Sequence, residues 1–182
     1  GDDGPTHHGL FDIGYLRHIP NFVFMQPKDE EEFVDMLWTM AHYHAGPIAI
    51  RYPRGAGTGA QPKEHPQLLE IGQSEVLRHG RRVLLLGLGN MVPLAEETAD
   101  LLAAQGIDAA VINARWIKPL DRQTLEFFAR AAEVVCTFED HVLHNGYGAA
   151  VIEALAEARI TTPVVRIGWP DQFIDHGKVE AL

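Results

Sequence analysis

Cysteine is nearly absent from this chain of 182 residues. The one cysteine, Cys136, cannot form a disulfide within the chain, and the apolar run 134–138 indicates a small buried side chain rather than a nucleophile. No apolar run approaches the roughly twenty residues that span a bilayer, and the first residues lack the basic and apolar stretches of a signal peptide. Basic residues are also scarce, 15 against 25 acidic ones, so binding to nucleic acid or to an anionic membrane is disfavoured. These absences predict a soluble, cytoplasmic protein.

An initiating methionine is absent as well, and the chain begins inside a loop-like motif. Both features predict a fragment of a longer protein. The hydrophobic share of 46% is enough for one large domain, or for a small domain with part of another.

The first half of the chain alternates strand, helix and strand. We expect strands at 21–25 and 48–52, with a helix between them that begins at Asp29 and carries acidic residues in its first turn. The apolar residues that share one face of this helix, and that we expect to pack inward, are Phe33, Leu37, Met40 and Ala41. This order is typical of a βαβ unit, which implies a parallel sheet.

Residues 53–70 are rich in proline and glycine and poor in apolar side chains, as an interdomain linker is. We therefore place a first domain at 1–58, a linker at 59–69 and a second domain at 70–182.

The second half alternates strands and helices again. Strands are expected at 74–78, 82–88, 108–112, 133–138 and 163–167, and helices at 93–105, from Asp121 onward and at 148–158. The first two strands flank His79-Gly80-Arg81, which predicts a hairpin. The whole alternation predicts the α/β class, with mostly parallel sheets and helices on both faces.

Gly87-Leu88-Gly89 follows a strand and precedes a helix, as a dinucleotide-binding turn does. The third glycine is replaced by Val92, and the next strand ends without an acidic residue for a ribose. We therefore interpret this segment as a tight strand-to-helix turn.

Metal ligands are best represented by Glu139-Asp140-His141 with His144. Nothing in the sequence fixes their geometry, and a polar loop at the end of a strand is the commoner explanation, so no metal site is assigned. His42 and His44 are two residues apart on a helix and cannot share a metal.

The first twelve residues carry two histidines and three aspartates among glycines and a proline. Glycine and proline set turn angles, and aspartate and threonine bond their own backbone, so this segment predicts a tight loop. Loops of this kind often hold catalytic side chains, although a solvated, histidine-rich terminus is the alternative.

Arg51-Tyr52-Pro53-Arg54-Gly55 follows the second strand. Ligands in open α/β sheets collect beyond the carboxyl ends of strands, and arginine binds phosphate or carboxylate well. A surface ion pair is the alternative explanation, plausible for one arginine but less so for two.

Taken together, these motifs closely resemble the 1-deoxy-D-xylulose 5-phosphate synthase family. The matching segments occur in order along nearly the whole chain, at 3–12, 15–17, 19–21, 27–30, 46–55, 118–121, 139–141 and 168–171. The first of them separates this family from transketolase and from the β subunit of pyruvate dehydrogenase, which share its folds. The chain departs from the family at Asn145-Gly146-Tyr147-Gly148, where the family usually has Gly-Gly-x-Gly.

The resemblance implies a homodimeric enzyme that uses thiamine diphosphate and a divalent metal, usually Mg²⁺. It implies decarboxylation of pyruvate and transfer of the two-carbon remnant to glyceraldehyde 3-phosphate, for isoprenoid precursor, thiamine and pyridoxal biosynthesis. Residues 1–58 would be the back half of a pyrimidine-binding domain, and 70–182 most of a transketolase-like C-terminal domain. The cofactor and metal ligands would lie mainly outside this chain, so the fragment alone is expected to be inactive.

By the same resemblance, three residues match site positions. His7 would be the catalytic histidine beside the reacting carbon, where an imidazole can pass a proton to or from an oxygen. Asp3 would accept a hydrogen bond from the acceptor substrate, and Arg54 would hold the acceptor's phosphate. Arg51 is assigned a supporting role and His8 a structural one.

Two other functions stay open. The chain could come from another thiamine-diphosphate enzyme, a transketolase or a keto-acid dehydrogenase β subunit, which acceptor preference would distinguish. It could also be a non-catalytic association module.

Overall fold

The computed structural model describes residues 3–61 and 63–178. Gly1 and Asp2 of the predicted catalytic loop, Pro62 of the predicted linker and residues 179–182 lie outside the described residues. The strands are β1 (Val23–Met25), β2 (Ile48–Ile50), β3 (Glu75–Arg78), β4 (Val83–Gly87), β5 (Ala109–Asn113), β6 (Trp116–Lys118), β7 (Val134–Val142) and β8 (Val164–Trp169). The helices are α1 (Asp12–Leu16), α2 (Glu30–His42), α3 (Val92–Ala104), α4 (Arg122–Ala131) and α5 (Tyr147–Glu157), with short 3-10 turns at Gly4–His7 and Gly89–Met91.

The strands form two sheets. The first has the order β2-β1-β6, in which β1 and β2 are parallel and β6 is antiparallel to β1. The second has the order β3-β5-β4-β7-β8, in which β5, β4, β7 and β8 are parallel and β3 is antiparallel at one edge. The predicted α/β class with mostly parallel sheets is therefore confirmed.

The larger sheet is covered by helices on both faces. Leu84 and Leu86 of β4 belong to the apolar cluster that also contains residues of α4 and α5. Leu85 points to the other face and packs with Ala95 and Ala99 of α3. Because neighbouring side chains of a strand point to opposite faces, the apolar run of β4 serves both layers.

The predicted hairpin of β3 and β4 is wrong, because β5 lies between these strands. The leucines of β4 are 1–2% exposed, which suits the centre of a sheet, whereas every residue of β3 is only half-buried. Gly80 lies in the connection, where a Cβ atom would be 2.2 Å from the carbonyl carbon of Ala109. The chain thus passes close over β5 instead of turning back beside β3.

The predicted inward face of α2 is also wrong in part. Leu37 is 41% exposed, and the buried positions of α2 are Glu32, Asp35, Met36 and Thr39. The polar ones are satisfied by a neighbouring segment: Asp35 accepts hydrogen bonds from Lys63 Nζ at 2.5 Å and from the Gln67 amide at 2.8 Å. Polar groups can be buried at little net cost when they are hydrogen-bonded. The contacts of Asp35 with Lys63 and Gln67 therefore help to decide which face of α2 turns inward.

A polar cluster joins α2 to the larger sheet. Arg115 Nε donates to Glu32 Oε1 at 2.6 Å, and Asn113 Nδ2 donates to the same oxygen at 2.8 Å. Lys28 Nζ approaches Glu75 Oε2 at 3.0 Å on the edge strand β3. Immediately after Arg115, β6 pairs with β1 and completes the smaller sheet. The chain therefore passes directly from β5 of the larger sheet to β6 of the smaller one.

The last two strands run further than predicted, β7 to Val142 and β8 to Trp169. Glu139 and His141 lie inside β7 with no exposed surface, so the interpretation of 139–141 as a polar loop is wrong.

Within 3–61 and 63–178, no helix combines the length and the apolar character needed to cross a membrane.

Candidate active site

The ends of several strands meet at a cleft of about 540 Å³ between the two sheets. We call it the junction cleft. It is lined by Asp3, Gly4, His7, His8, Gly9, Leu10, Gln26, Arg51, Tyr52, Pro53, Arg54, Gly55, Asn90, Asp140, Trp169 and Ile174. Residues that follow β1, β2 and β4 contribute to it, together with residues of β7 and β8. Its position at the carboxyl edge of parallel strands is where α/β proteins bind ligands.

The 3-10 turn Gly4–His7 presents His7 to the cleft. The turn begins with Gly4 at φ +61°, a conformation that favours glycine, and a Cβ atom there would be 2.9 Å from His176 Cβ. His7 is exposed, and its Nδ1 lies 2.8 Å from Thr6 Oγ1. Among the described residues Nε2 has no recorded hydrogen-bond partner, so this nitrogen is available to a ligand.

Asp3 and Arg54 form an ion pair on the wall of the same cleft. The Arg54 side chain is 81% exposed, so its guanidinium remains accessible to an anion. The structure thus brings together His7, Asp3 and Arg54, which the sequence places up to 51 residues apart. Their individual roles stay predictions.

His8 has a different environment. Its Nε2 accepts a hydrogen bond from the Ile174 amide at 2.9 Å, and its ring lies 6.2 Å from the rings of Phe11 and Phe173. These contacts attach the segment after β8 to the first loop. They agree with a structural role for His8.

Four other cleft residues were not assigned to the site from the sequence, although Asp140 was considered there as a metal ligand: Gln26, Asn90, Asp140 and Trp169. Gln26 Nε2 donates to Asn90 Oδ1 at 2.9 Å, and Asn90 Nδ2 donates to Asp140 Oδ2 at 3.2 Å. Trp169 Nε1 donates to Asp140 Oδ1 at 2.7 Å. A search for polar residues at the carboxyl end of every predicted parallel strand would have found most of this group.

The glycine turn after β4 is the tight turn that the sequence predicts. Gly89 has φ +57°, and a Cβ atom there would lie 2.2 Å from Gln26 Cδ. The glycine is therefore required both by the backbone angle and by the close approach of Gln26. The turn makes room for the side chain of Gln26, which follows β1 of the smaller sheet.

Behind the cleft, the buried Glu139 carboxylate accepts hydrogen bonds from the amides of Tyr147 at 2.6 Å and Gly148 at 2.9 Å. These two N–H groups lie at the start of α5, where a helix offers them no partner of its own, and Glu139 supplies the missing acceptor. Burial raises the pKa of Glu139 to about 7, although the hydrogen bonds from these two amides act to lower this pKa.

Among 3–61 and 63–178, no group of three or more histidine, cysteine or acidic residues is arranged to hold a metal ion.

His141, also buried, connects β7 to α1. Its Nδ1 lies 2.6 Å from the carbonyl oxygen of Val142, so Nδ1 carries the proton, and Nε2 accepts from the Gly14 amide at 3.3 Å. Burial lowers the pKa of His141 below its ordinary value of 6.5. The folded protein therefore holds this imidazole neutral.

We expect this histidine to make the protein less stable in acid. Because its folded pKa lies below its unfolded pKa, the stabilisation is complete above pH 6.5 and is lost as the pH falls below it, with a slope of at most about 1.4 kcal/mol per pH unit. His141→Gln keeps a donor and an acceptor but cannot titrate, so its free energy of unfolding should depend less on pH between 5 and 7. Denaturant unfolding at several pH values measures this difference.

The matched control is His144→Gln, since His144 is exposed three residues further along the chain. The Glu139 carboxyl is present in all three proteins, so its own titration largely cancels from the comparison. Equal pH slopes for wild type and His141→Gln would contradict the prediction.

Comparison with known proteins agrees with the fold. The family model of the transketolase C-terminal domain matches residues 72–182, and that of the transketolase pyrimidine-binding domain matches residues 1–58. The chain therefore belongs to the transketolase family.

Within that family, the similarity to 1-deoxy-D-xylulose-5-phosphate synthases that the sequence motifs predict is confirmed. The chain is 56% identical over its whole length to the enzyme of that name from Methylacidiphilum infernorum, and 55% identical to that from Acidobacterium capsulatum. It spans 29% of the length of each of these relatives.

Solved structures resemble the chain as well. A split gene transketolase, described as an inactive β4 tetramer, has a TM-score of 0.81 and 33% identity, covering 90% of this chain and 54% of that one. A transketolase mutant from Pichia stipitis has a TM-score of 0.69 over the whole chain and 25% of its own, and its 18% identity supports the fold alone.

Proposed function

We propose that this chain is part of a thiamine-diphosphate-dependent 1-deoxy-D-xylulose-5-phosphate synthase. The complete enzyme would decarboxylate pyruvate and join the two-carbon remnant to glyceraldehyde 3-phosphate. The observation that carries the proposal is the meeting of His7, Asp3 and Arg54 in one cleft. Similarity over the whole chain to synthases of that name supports it.

The cellular setting follows from the same proposal. The product would supply isoprenoid precursor, thiamine and pyridoxal biosynthesis, and the enzyme would act as a cytoplasmic homodimer. The 182-residue chain alone would be inactive, since most cofactor ligands would lie elsewhere in the complete enzyme. The similar split gene transketolase subunit is likewise described as an inactive assembly.

The residues of the cleft include groups that could act on a substrate at the reactive end of thiamine diphosphate. An exposed imidazole and an exposed guanidinium line about 540 Å³ of space. The part of the chain that the structure describes offers no carboxylate cluster for Mg²⁺. When bound, the cofactor would stabilise the carbanion left by decarboxylation, while Mg²⁺ and the diphosphate would be held by residues outside this chain.

The three predicted site residues would then have distinct roles. His7 would use Nε2 to hold or move a proton at the carbonyl or hydroxyl oxygen of the substrate, while Nδ1 is oriented by Thr6. Arg54 would bind the acceptor's phosphate through charge-assisted hydrogen bonds. Asp3 already contacts Arg54, so a bound phosphate would compete for that guanidinium and release Asp3 to accept from the acceptor's hydroxyl.

The decisive experiment is an assay of the complete enzyme with thiamine diphosphate, Mg²⁺ and pyruvate, with and without glyceraldehyde 3-phosphate. We expect carbon dioxide release that depends on the aldehyde, with deoxyxylulose phosphate as product. Turnover with a ketose donor, or with a lipoyl acceptor, would replace this function by that of a transketolase or a keto-acid dehydrogenase. Absence of any turnover would leave the non-catalytic association module as the better description.

A further inference from the structure

The junction of the two sheets is closed by a ring of hydrogen bonds that contains one cation, Arg51. Its Nη1 donates to Gln26 Oε1 at 2.6 Å, and its Nη2 donates to the carbonyl oxygen of Asp140 at 3.0 Å. Asn90 completes the ring, since it accepts from Gln26 and donates to the Asp140 carboxylate. The ring links residues that follow β1, β2 and β4 to a residue of β7, so the relative position of these strand ends is fixed.

The same guanidinium also holds the loop that carries His7. Nε of Arg51 donates to Asp12 Oδ2 at 2.7 Å, and Nη2 donates to the carbonyl oxygen of Gly9 at 3.0 Å. The Arg51 side chain is only 12% exposed, so these charge-assisted bonds are largely shielded from water and salt. One side chain thus connects the loop to both sheets.

Arg51 and Arg54 are placed for different work. The described contacts engage four of the five N–H donors of the Arg51 guanidinium with protein acceptors. Arg54 is 81% exposed and paired with Asp3 alone among the described residues. Arg54 can therefore bind a ligand, whereas Arg51 is committed to the protein.

We propose that Arg51 is a positioning residue: it sets the place of the 3–12 loop, and with it His7 and Asp3, against the part of the cleft that the larger sheet supplies. The reaction served is the one under the proposed function, on which this inference rests for its kinetic test. A consequence is that Asn90 and Asp140, both from the part of the chain after residue 72, contribute to active-site geometry through this ring, and Trp169 does so through its hydrogen bond to Asp140. The C-terminal domain is then part of the catalytic apparatus and not only a support.

The kinetic test uses the complete enzyme with Arg51→Gln. Loss of the guanidinium removes the hydrogen bonds that hold the 3–12 loop. A misplacement of a catalytic group by about 1 Å costs on the order of 10²-fold in rate, so kcat should fall by about 10²-fold. Arg51→Lys keeps the charge but offers three donors to four acceptors, so it should retain more activity than Arg51→Gln. It also keeps the inference testable if the glutamine variant does not fold.

The matched control is Arg17→Gln. Arg17 also joins the two halves of the chain, through Glu153 at 2.9 Å and the carbonyl oxygen of Asn145 at 3.0 Å, and its side chain is 17% exposed. It lies outside the junction cleft. Its loss should lower the melting temperature but leave kcat close to that of wild type. An equal loss of kcat in both variants would reduce Arg51 to a general stabilising residue.

A double-mutant cycle separates positioning of His7 from an independent effect. If Arg51 acts through His7, adding Arg51→Gln to His7→Ala should slow the enzyme little further. Fully additive losses would overturn the inference. Asp3 is carried by the same loop, so a residual effect of Arg51→Gln on the KM for the aldehyde is expected.

Amide hydrogen exchange of the complete enzyme gives a readout that does not need turnover. Arg51→Gln should raise exchange in residues 6–12 and at Val142, whose amide donates to the Leu10 carbonyl oxygen at 3.1 Å. Arg17→Gln should leave these amides unchanged. An active enzyme whose loop exchange and kcat are both insensitive to Arg51→Gln would refute the positioning role. Faster loop exchange in an enzyme that makes no deoxyxylulose phosphate would instead refute the proposed function and keep Arg51 as the residue that places the loop.

Discussion

Replacement of His7 by alanine is expected to lower the turnover of the complete enzyme by about 10²- to 10⁴-fold, the usual contribution of a positioned general acid or base. His7 is exposed in the junction cleft with Nδ1 oriented by Thr6, so its loss removes a proton-transfer group without disturbing a core. The loss should appear mainly in kcat, with the melting temperature nearly unchanged. Steady-state formation of deoxyxylulose phosphate measures it.

Two variants control this experiment. His44→Ala removes an exposed histidine beyond the end of α2, outside the cleft, and should leave kcat unchanged. His7→Gln retains hydrogen-bonding capacity but cannot shuttle a proton, so it should be nearly as slow as His7→Ala. Full activity of His7→Gln would show that His7 only orients the substrate, and full activity of His7→Ala would remove His7 from the mechanism.

Replacement of Glu139 by alanine should cost more stability than any surface substitution. The carboxylate has no exposed surface and accepts from the amides of Tyr147 and Gly148 at the start of α5. Each buried donor left without a partner costs about 1–3 kcal/mol, so the free energy of unfolding should fall by about 2–6 kcal/mol. Chemical denaturation of the complete enzyme, monitored at α5, measures this loss.

Glu157→Ala is the control for this prediction. Glu157 ends the same helix, and its carboxylate pairs with Arg122 at 2.6 Å, but its side chain is 66% exposed. An exposed ion pair contributes about 0–1 kcal/mol, so the control should be nearly neutral. Similar losses for Glu139→Ala and Glu157→Ala would mean that water replaces the carboxylate at the start of α5.

Local patterns predicted most elements because their causes are local. Asp29 caps α2, as its position before three glutamates predicts, by accepting from the Glu32 amide at 2.8 Å. Asp121 caps α4 in the same way, with Thr124 as donor at 3.0 Å. Neither contact depends on the rest of the fold, so sequence alone was sufficient for both.

Strand order was not predictable in the same way. The hairpin signal at His79-Gly80-Arg81 concerns only neighbours in the chain, whereas the pairing of β3 with β5 joins Glu75 to Asn113 across 38 residues. The same holds for α2, whose inward face is selected by partners of Asp35 that lie at Lys63 and Gln67. Long-range pairings of this kind override local periodicity.

The α/β class could be predicted from the sequence because it depends on composition and periodicity. The candidate residues His7, Asp3 and Arg54 followed from short motifs through the resemblance to the synthase family. The folded arrangement was needed to show that Arg51 joins the His7 loop to Gln26 and Asp140, and that Glu139 and His141 are buried in a strand. The hydrogen bonds of Arg51 to Gln26 and Asp140, and of His141 to Gly14, link residues that are 25 to 127 apart in the chain. Their formation depends on two sheets packing together, which no local pattern encodes.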